Sequence, residues 1–242
     1  MLYEGAMNFL SHAIVLGDET RALTFVGAAL PDLWPHMSAR PLPKLVLDRL
    51  RAEGEPDGLA LARGIAHHMQ ADAAFHRHPS FLERVNVTAA RIEPFLALPK
   101  WSALVAHVLV EMLLDRWLIE RDAGLVDRYY GHFEADTRVR AAELASAEDA
   151  MRSELAAMLE RFQDLRFLAD YTDFERLVWR LSRALRRADH AIIAEERLEG
   201  LAREASRLHT ELTAGSGELL DDVRATVDAK LPAAGSNLPG TS

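Results

Sequence analysis

The sequence predicts an all-α fold, and three observations support that prediction. Eight of the ten prolines lie between residues 31 and 99, and none occurs from residue 100 to residue 231. Because proline costs about 3 kcal/mol in a helix interior, this second stretch is suited to long helices. Apolar residues recur every three or four positions, and no segment shows the strict alternation that is typical of a β-strand.

Two helices are predicted in the first half of the chain. Residues 59–75 form the first, with Asp57 as its N-cap, because a short acidic side chain accepts hydrogen bonds from the N–H groups of a first helical turn. This helix is expected to end near His78, because Pro79 follows and the residue before a proline disfavours helical backbone angles. Residues 81–95 form the next helix.

Further helices are predicted beyond residue 99. Apolar residues at helical spacing indicate a helix over 100–120, and the same pattern recurs in 155–165 and again within a helix predicted over 172–190. Acidic residues scattered among alanines make residues 134–160 typical of a solvated helix face.

The predicted domain organisation is simple. We find no internal repeat and no linker before residue 214, so residues 1–214 are predicted to form a single all-helical domain. Residues 215–217 are Gly-Ser-Gly, and a short helix is expected over 218–231. The remainder is low in apolar residues and rich in helix breakers, which predicts a disordered end to the 215–242 segment.

Composition and charge exclude several classes of protein. A chain of 242 residues can bury a core of its own, and the absence of cysteine excludes disulfide scaffolds and cysteine zinc sites. A formal net charge of −9 has the wrong sign for gripping nucleic-acid phosphates, so no nucleic-acid partner is expected.

No membrane span is expected either. The most apolar run, residues 101–118, is interrupted by His107, Glu111, Asp115 and Arg116. The N-terminus also lacks the basic region and cleavage site of a signal peptide. The protein is therefore expected to be soluble and cytoplasmic.

Two predicted helices each carry a row of nitrogen and carboxylate ligands, spaced so that one face presents them. These rows are His68, Asp72 and His76 on the first helix, and His107, Glu111 and Asp115 on the second. A carboxylate buried in the apolar second helix costs several kcal/mol unless it is neutralised, and a divalent cation would neutralise it. The alternative is that this face meets solvent or pairs with arginines.

The N-terminal segment supplies two more candidate ligands. His12 follows an apolar run, and Asp32 follows Pro31. Alone, a histidine of this kind is usually a hydrogen-bonded core residue and an aspartate after proline is usually a turn or cap. Together with the two rows they form four His/Asp/Glu clusters, and mixed imidazole and carboxylate ligation suits Mn, Fe or Zn in a helical bundle.

At these residues the sequence resembles the acyl carrier protein phosphodiesterases. The segments that carry the resemblance are MNFLSHA at 7–13, GAALPDLWP at 27–35, GIAHHMQADAAFHRHP at 64–79, VEMLLDRWL at 110–118 and FLADYTDFERLVWRLSRALRR at 167–187. They follow the order and approximate spacing of that family's motifs, and the family's start makes Met7 a natural first residue.

The resemblance implies an HD-domain-like helical bundle, related to the His-Asp phosphohydrolases. It also implies a Mn-dependent hydrolase that releases 4'-phosphopantetheine from holo-acyl carrier protein. The positions that match polar residues of the family's motifs are His12, Asp32, His68, Asp72 and Asp115, and Glu111 replaces an aspartate of the family.

The sequence departs from the family pattern at three positions, and two of these departures remove groups suited to phosphate contact, an arginine and a histidine. Met69 replaces an arginine, His76 replaces an aspartate, and Arg116 stands where the family has histidine. The H-A and G-x-x-x-P-D pattern is also similar to the zinc-dependent phospholipase C-type helical hydrolases. Zn or Fe is therefore an alternative to Mn, and another phosphoester is an alternative substrate.

The predicted mechanism is metal-assisted phosphoester hydrolysis. The candidate metal ligands are His12, Asp32, His68, Asp72, Glu111 and Asp115. The candidate catalytic residues, which would support the ligands or protonate the leaving group, are His67, His76 and His107.

Two further readings concern partners. A basic patch on the 172–190 helix would suit an acidic carrier protein, unless its arginines pair with nearby acids. Its members are Arg180, Arg183, Arg186 and Arg187. The second reading is a non-catalytic helical interaction protein, favoured by Arg116, because a guanidinium beside a metal cluster is unfavourable unless an anion intervenes.

Overall fold

The computed structural model describes residues 9–17, 19–185 and 192–231. Within these ranges the chain folds into helices, short 3-10 turns and loops, with no β-strand, so the predicted all-α class is confirmed. The helices are α1 (Phe9–Val15), α2 (Ala22–Leu33), α3 (Pro43–Glu53), α4 (Pro56–Phe75), α5 (Pro79–Ile92), α6 (Ser102–Arg121), α7 (Leu125–Gly131), α8 (Ala135–Ala145), α9 (Asp149–Leu165), α10 (Phe174–Ala184), α11 (Leu198–Leu212) and α12 (Ser216–Asp228).

Helix α4 begins three residues earlier than its apolar pattern indicates, and the predicted N-cap is wrong. Pro56 occupies the first turn, where a missing N–H has no cost. The side chain of Glu55, and not that of Asp57, accepts a hydrogen bond from the Gly58 N–H at 2.9 Å. The longer reach of glutamate lets it cap a helix that starts at the following proline.

Helix α6 is the centre of the fold. Twelve of its residues are buried, so it has no solvent-facing stripe along much of its length. Glu111 and Asp115 are both fully buried, at 0% exposure. Of the two readings that the sequence leaves open for this face, exposure to solvent is therefore excluded.

Helices α2 and α4 cross at unusually close range, because a glycine lies at the contact on each side. A Cβ at Gly27 would lie 2.3 Å from the carbonyl oxygen of Leu61, and one at Gly64 would lie 2.0 Å from that of Thr24. Only glycine allows the two backbones to approach this closely. The crossing sets the distance between Asp32 at the end of α2 and His68 on α4.

The 134–160 segment contains two helices, α8 and α9, which are separated by a break at residues 146–148. Helix α10 ends at Ala184, and the last residues of the predicted 172–190 helix lie outside the described residues.

Helix α12 belongs to the packed body of the protein. Val223 and Val227 are buried, and the helix packs against α4 and α1. Arg224 also donates a hydrogen bond to the carbonyl of Ile14, at 2.7 Å. The predicted disordered end, residues 232–242, lies outside the described residues.

None of the helices in the described ranges is long and apolar enough to cross a membrane. The interruptions in the 101–118 run are the physical reason, because they place charged and polar groups along α6. The prediction of no membrane span is confirmed for this part of the chain.

Candidate metal centre

The C-terminal end of α4 and the middle of α6 bring three potential metal ligands together. His76 Nε2 lies 3.0 Å from His107 Nε2, and His107 Nε2 lies 3.0 Å from Glu111 Oε1. The ligand atoms of the three residues all lie within 4.8 Å of one another. This group, called the outer triad below, could hold a metal ion.

Helix α5 packs against the outer triad through Phe81. The buried ring of Phe81 lies 6.2 Å from the ring of His76 and 5.3 Å from that of His107, measured between centroids. His107 and Glu111 are one turn apart on α6, so one helix face presents both. The chain turns sharply after Phe75, and His76 is placed at the C-terminal end of α4.

Asp72 lies one turn before His76, with its Oδ1 3.5 Å from the imidazole Nε2. Burial raises the pKa of Asp72, and the neighbouring His76 and His107 oppose part of that rise. Burial alone would lower the pKa of His107, but the negative charges of Glu111 and Asp72 raise it above its usual value. The outer triad and Asp72 therefore form one electrostatically linked set.

A second cluster, called the inner cluster below, consists of His12, Asp32 and His68. The rings of His12 and His68 stack at 4.1 Å with an angle of 26° between them, and His68 Nε2 lies 3.6 Å from Asp32 Oδ1. All three side chains are buried. Both ring nitrogens of His12 and Oδ2 of Asp32 have no hydrogen-bond partner among the described residues.

Burial controls the protonation of the inner cluster. It lowers the pKa of His12 well below the usual value, assisted by His68, His67 and His76, and lowers that of His68 to about 4. Both imidazoles are therefore neutral at pH 7, the form in which a ring nitrogen can bind a metal.

The pKa of Asp32 is shifted in the opposite sense. Burial raises it well above the usual value, and the negative charges of Glu111, Asp72 and Asp115 raise it further. The inner cluster is therefore electrostatically linked to the carboxylates of α4 and α6. Carboxylates crowded in this way favour a bound cation.

Asp115 performs a different task from the predicted one. Its Oδ1 accepts hydrogen bonds from the N–H and the hydroxyl of Ser11, at 2.8 and 2.7 Å, and its Oδ2 accepts one from the Leu10 N–H at 3.1 Å. Burial raises the pKa of Asp115 to about 7 although these hydrogen bonds oppose the rise. We therefore revise its predicted role as a metal ligand, because its oxygens already bind the first turn of α1 and hold that helix against α6.

His67 is likewise turned to a structural contact. Its Nε2 lies 3.2 Å from the carbonyl oxygen of Val15, which joins α4 to the end of α1. Burial lowers the pKa of His67 to about 4 although this hydrogen bond opposes the change. We do not assign it the catalytic role that its position beside His68 suggests.

Arg116 is directed away from the candidate ligands. Its guanidinium lies 3.7 Å from the centroid of the Phe174 ring, donates to the Tyr171 carbonyl at 2.7 Å and pairs with Glu120 at 2.8 Å. The sequence favours a non-catalytic protein only if this guanidinium lies beside the metal cluster. Its contacts with Phe174, Tyr171 and Glu120 remove that support.

The predicted basic patch is only partly described. Arg180 pairs with Asp170 at 2.7 Å, so its charge is already compensated. Arg183 is exposed and lies 5.8 Å from the centroid of the Trp179 ring. Arg186 and Arg187 lie outside the described residues.

The two rows of ligands predicted from the sequence contain every member of the outer triad, but they do not show which residues meet. The sequence predicts that His76 and His107 support the ligands or protonate the leaving group, whereas their nitrogens lie in a potential ion-binding group with Glu111. The signal that could have revealed this is their position, because each extends a ligand row by one helical turn.

The chain was compared with family models, with curated proteins and with solved structures, and none of them matches it. The resemblance to the acyl carrier protein phosphodiesterases therefore stays a prediction, as does the HD-domain-like description of the bundle.

Proposed function

We propose that this protein is a divalent-metal-dependent hydrolase of phosphoesters. The observation that carries the proposal is the convergence of imidazole and carboxylate groups from α1, α2, α4 and α6 in one largely buried region. Glu111 is fully buried there, and His12 and Asp32 have ring and carboxylate atoms without hydrogen-bond partners among the described residues. Such burial is costly without a compensating ligand.

The donor set supports a first-row transition ion. Imidazole nitrogens suit Zn, Fe and Mn, whereas calcium and magnesium are usually held by oxygen atoms alone. A divalent ion bound here would supply Lewis-acid activation of water and of a phosphoester.

The described residues also define the open side of the centre. The side chains of His76, Asp72 and His107 are 36, 32 and 25% exposed, whereas those of His68 and Asp32 are 6 and 4% exposed. We therefore propose that a phosphoester approaches the centre past His76 and Asp72.

The proposed substrate is holo-acyl carrier protein, with release of 4'-phosphopantetheine, because the resemblance implies it. Arg183 is the exposed member of the described part of the patch proposed to contact the acidic carrier. A zinc-dependent phospholipase C-like activity, or hydrolysis of another phosphoester, would use the same centre. The assay therefore has to include a substrate that needs no carrier protein.

The test is to assay the metal-free, Mn-loaded and Zn-loaded protein. Loss of phosphopantetheine from holo-acyl carrier protein is followed by mass spectrometry, and hydrolysis of bis(p-nitrophenyl) phosphate is followed in parallel. We expect metal-dependent turnover that is lost in Glu111→Gln and kept in Glu83→Gln, a matched change on the exposed side of α5. Turnover of neither substrate under any metal condition would contradict the proposal and favour a non-catalytic interaction protein.

A further inference from the structure

We infer that the ion is held by the outer triad of His76, His107 and Glu111. It is not held by the inner cluster, whose residues also belong to the ligand set that the family resemblance implies. The inference deepens the proposed function and rests on it.

The distances between ligand atoms in the outer triad are close to those around a bound ion. At Zn–N distances of about 2.0–2.1 Å, two imidazole nitrogens on one tetrahedral ion lie about 3.3 Å apart. His76 Nε2 and His107 Nε2 are 3.0 Å apart, so a shift of a few tenths of an ångström would admit an ion. Glu111 Oε1 already lies 3.0 Å from the second of these nitrogens.

The inner cluster lacks this arrangement. Among the described residues, the ligand atoms of His12, Asp32 and His68 do not form a group within 4.8 Å of one another. The stacked rings of His12 and His68 are 26° from parallel, so they meet face to face and their nitrogens do not converge on a common point. His12 is further fixed by the edge of Phe75, 5.8 Å away between centroids. One of the imidazoles would have to turn within a packed core before both could bind one ion.

Charge and access favour the outer position as well. Glu111 is fully buried and Asp72 lies beside the triad, so two carboxylates face the ion. His76 is partly exposed, which leaves the ion open to solvent and substrate on one side, as a catalytic site requires. His76 stands where the resembled family has aspartate, and His107 precedes the segment 110–118 that carries the resemblance. Compared with the ligand positions that the resemblance implies, the outer triad is therefore displaced by one helical turn along both helices.

A nitrogen-rich site of this kind predicts selectivity. Binding of divalent ions to mixed nitrogen and oxygen ligands strengthens from Mn through Fe and Co, and Zn binds more tightly than Mn. We expect the untagged protein to bind Zn²⁺ and Co²⁺ more tightly than Mn²⁺. Bound Co²⁺ should also show the visible absorption of a four-coordinate site with nitrogen ligands.

The test measures ion binding without reference to activity. Equilibrium dialysis with Zn²⁺, Co²⁺ or Mn²⁺ is applied to the wild type, His76→Gln, His107→Ala and the control His68→Ala. We expect affinity to fall at least about 100-fold in the first two variants, above the 10- to 100-fold loss that removing only a supporting group causes. His68→Ala should retain the bound ion and the Co²⁺ spectrum. His76→Gln lies at a half-exposed helix end, so it tests the site even if His107→Ala does not fold.

The inference is overturned if His76→Gln and His107→Ala keep full affinity, or if His68→Ala abolishes binding in a protein that remains folded by circular dichroism. Either result would leave the proposed function standing, with the ion at the inner cluster. An ion bound at the outer triad without any hydrolysis would confirm the inference and contradict the proposed function. A wild type that binds none of the three ions overturns both.

Discussion

The crossing of α2 and α4 gives a prediction whose magnitude follows from the structure. In Gly64→Ala the new Cβ would lie 2.0 Å from the Thr24 carbonyl oxygen, and it would also lie 2.7 Å from the Ala28 nitrogen and 2.9 Å from the Gly27 carbonyl carbon. Ordinary contact begins at 3.4 Å, so the two backbones must separate by about 1.4 Å at the closest point. Backbone atoms cannot rotate away as a flexible side chain can.

Overpacking of a core typically costs about 1–3 kcal/mol and occasionally more. Alanine returns up to about 1 kcal/mol because its helix propensity exceeds that of glycine. Since all three clashes involve backbone atoms, we expect Gly64→Ala to lower the free energy of unfolding by at least about 2 kcal/mol. With a urea slope of about 1–3 kcal/mol/M, the midpoint should fall by about 1 M.

The matched control is Gly58→Ala on the same helix. Its Cβ would lie 3.5 Å from Glu55 Oε2 and from Leu50 Cδ2, which is ordinary contact, so the propensity gain should dominate and the midpoint should rise slightly. Urea unfolding followed by circular dichroism compares the two variants. Equal effects of Gly64→Ala and Gly58→Ala would refute the claim that the crossing depends on glycine.

Three further predictions concern buried and half-buried polar groups. Asp115→Ala should lower the free energy of unfolding by about 3 kcal/mol, because three buried hydrogen bonds to its carboxyl group are lost at about 0.5–1.5 kcal/mol each; a loss below 1 kcal/mol in urea unfolding would contradict the capping role. His12→Leu should stabilise the metal-free protein in the same assay, because it removes two buried nitrogens that have no hydrogen-bond partner among the described residues; a clear destabilisation would contradict this reasoning. His132 stacks on Phe25, and burial lowers its pKa below the usual 6.5, so its contribution to stability is present above pH 6.5 and is lost as the pH falls. Between pH 8 and pH 5 the wild type should therefore lose more stability than His132→Phe, and parallel pH profiles would count against this assignment.

Much of the fold was predictable because its signals are local. Proline spacing and apolar periodicity identify α4, α5 and α6 within a few residues, whereas they leave the start of α9 and the end of α10 unresolved. The cap of α4 was misassigned because Asp57 is the better capping residue by type, while the position of Pro56 decides where the helix begins. The identity of the cap depends on the residue at which the helix begins, and apolar periodicity does not resolve that residue.

The candidate site was predictable in membership but not in pairing. Four-residue rows place Asp72 and His76, or His107 and Glu111, on one face without any knowledge of the tertiary fold. The contact between His76 and His107 depends on how α5 packs between their helices through Phe81.

The role of Asp115 depends on contacts between residues that are still farther apart in the sequence. Its partners, Ser11 and Leu10, lie 104 and 105 residues earlier in the chain. A carboxylate that caps a distant helix and one that binds a metal have the same appearance in sequence. The stacking of His12 on His68 is hidden for the same reason, since nothing in either segment specifies the angle between the rings.

The position of the ion is the central claim, and anomalous diffraction from crystals soaked in Zn²⁺, recorded on both sides of the zinc edge, tests it most directly. The account predicts a peak about 2.0–2.1 Å from His76 Nε2 and His107 Nε2 and about 2.0–2.2 Å from Glu111 Oε1. A peak between His12, His68 and Asp32, or no peak in a crystal in which the outer triad is ordered, would contradict it.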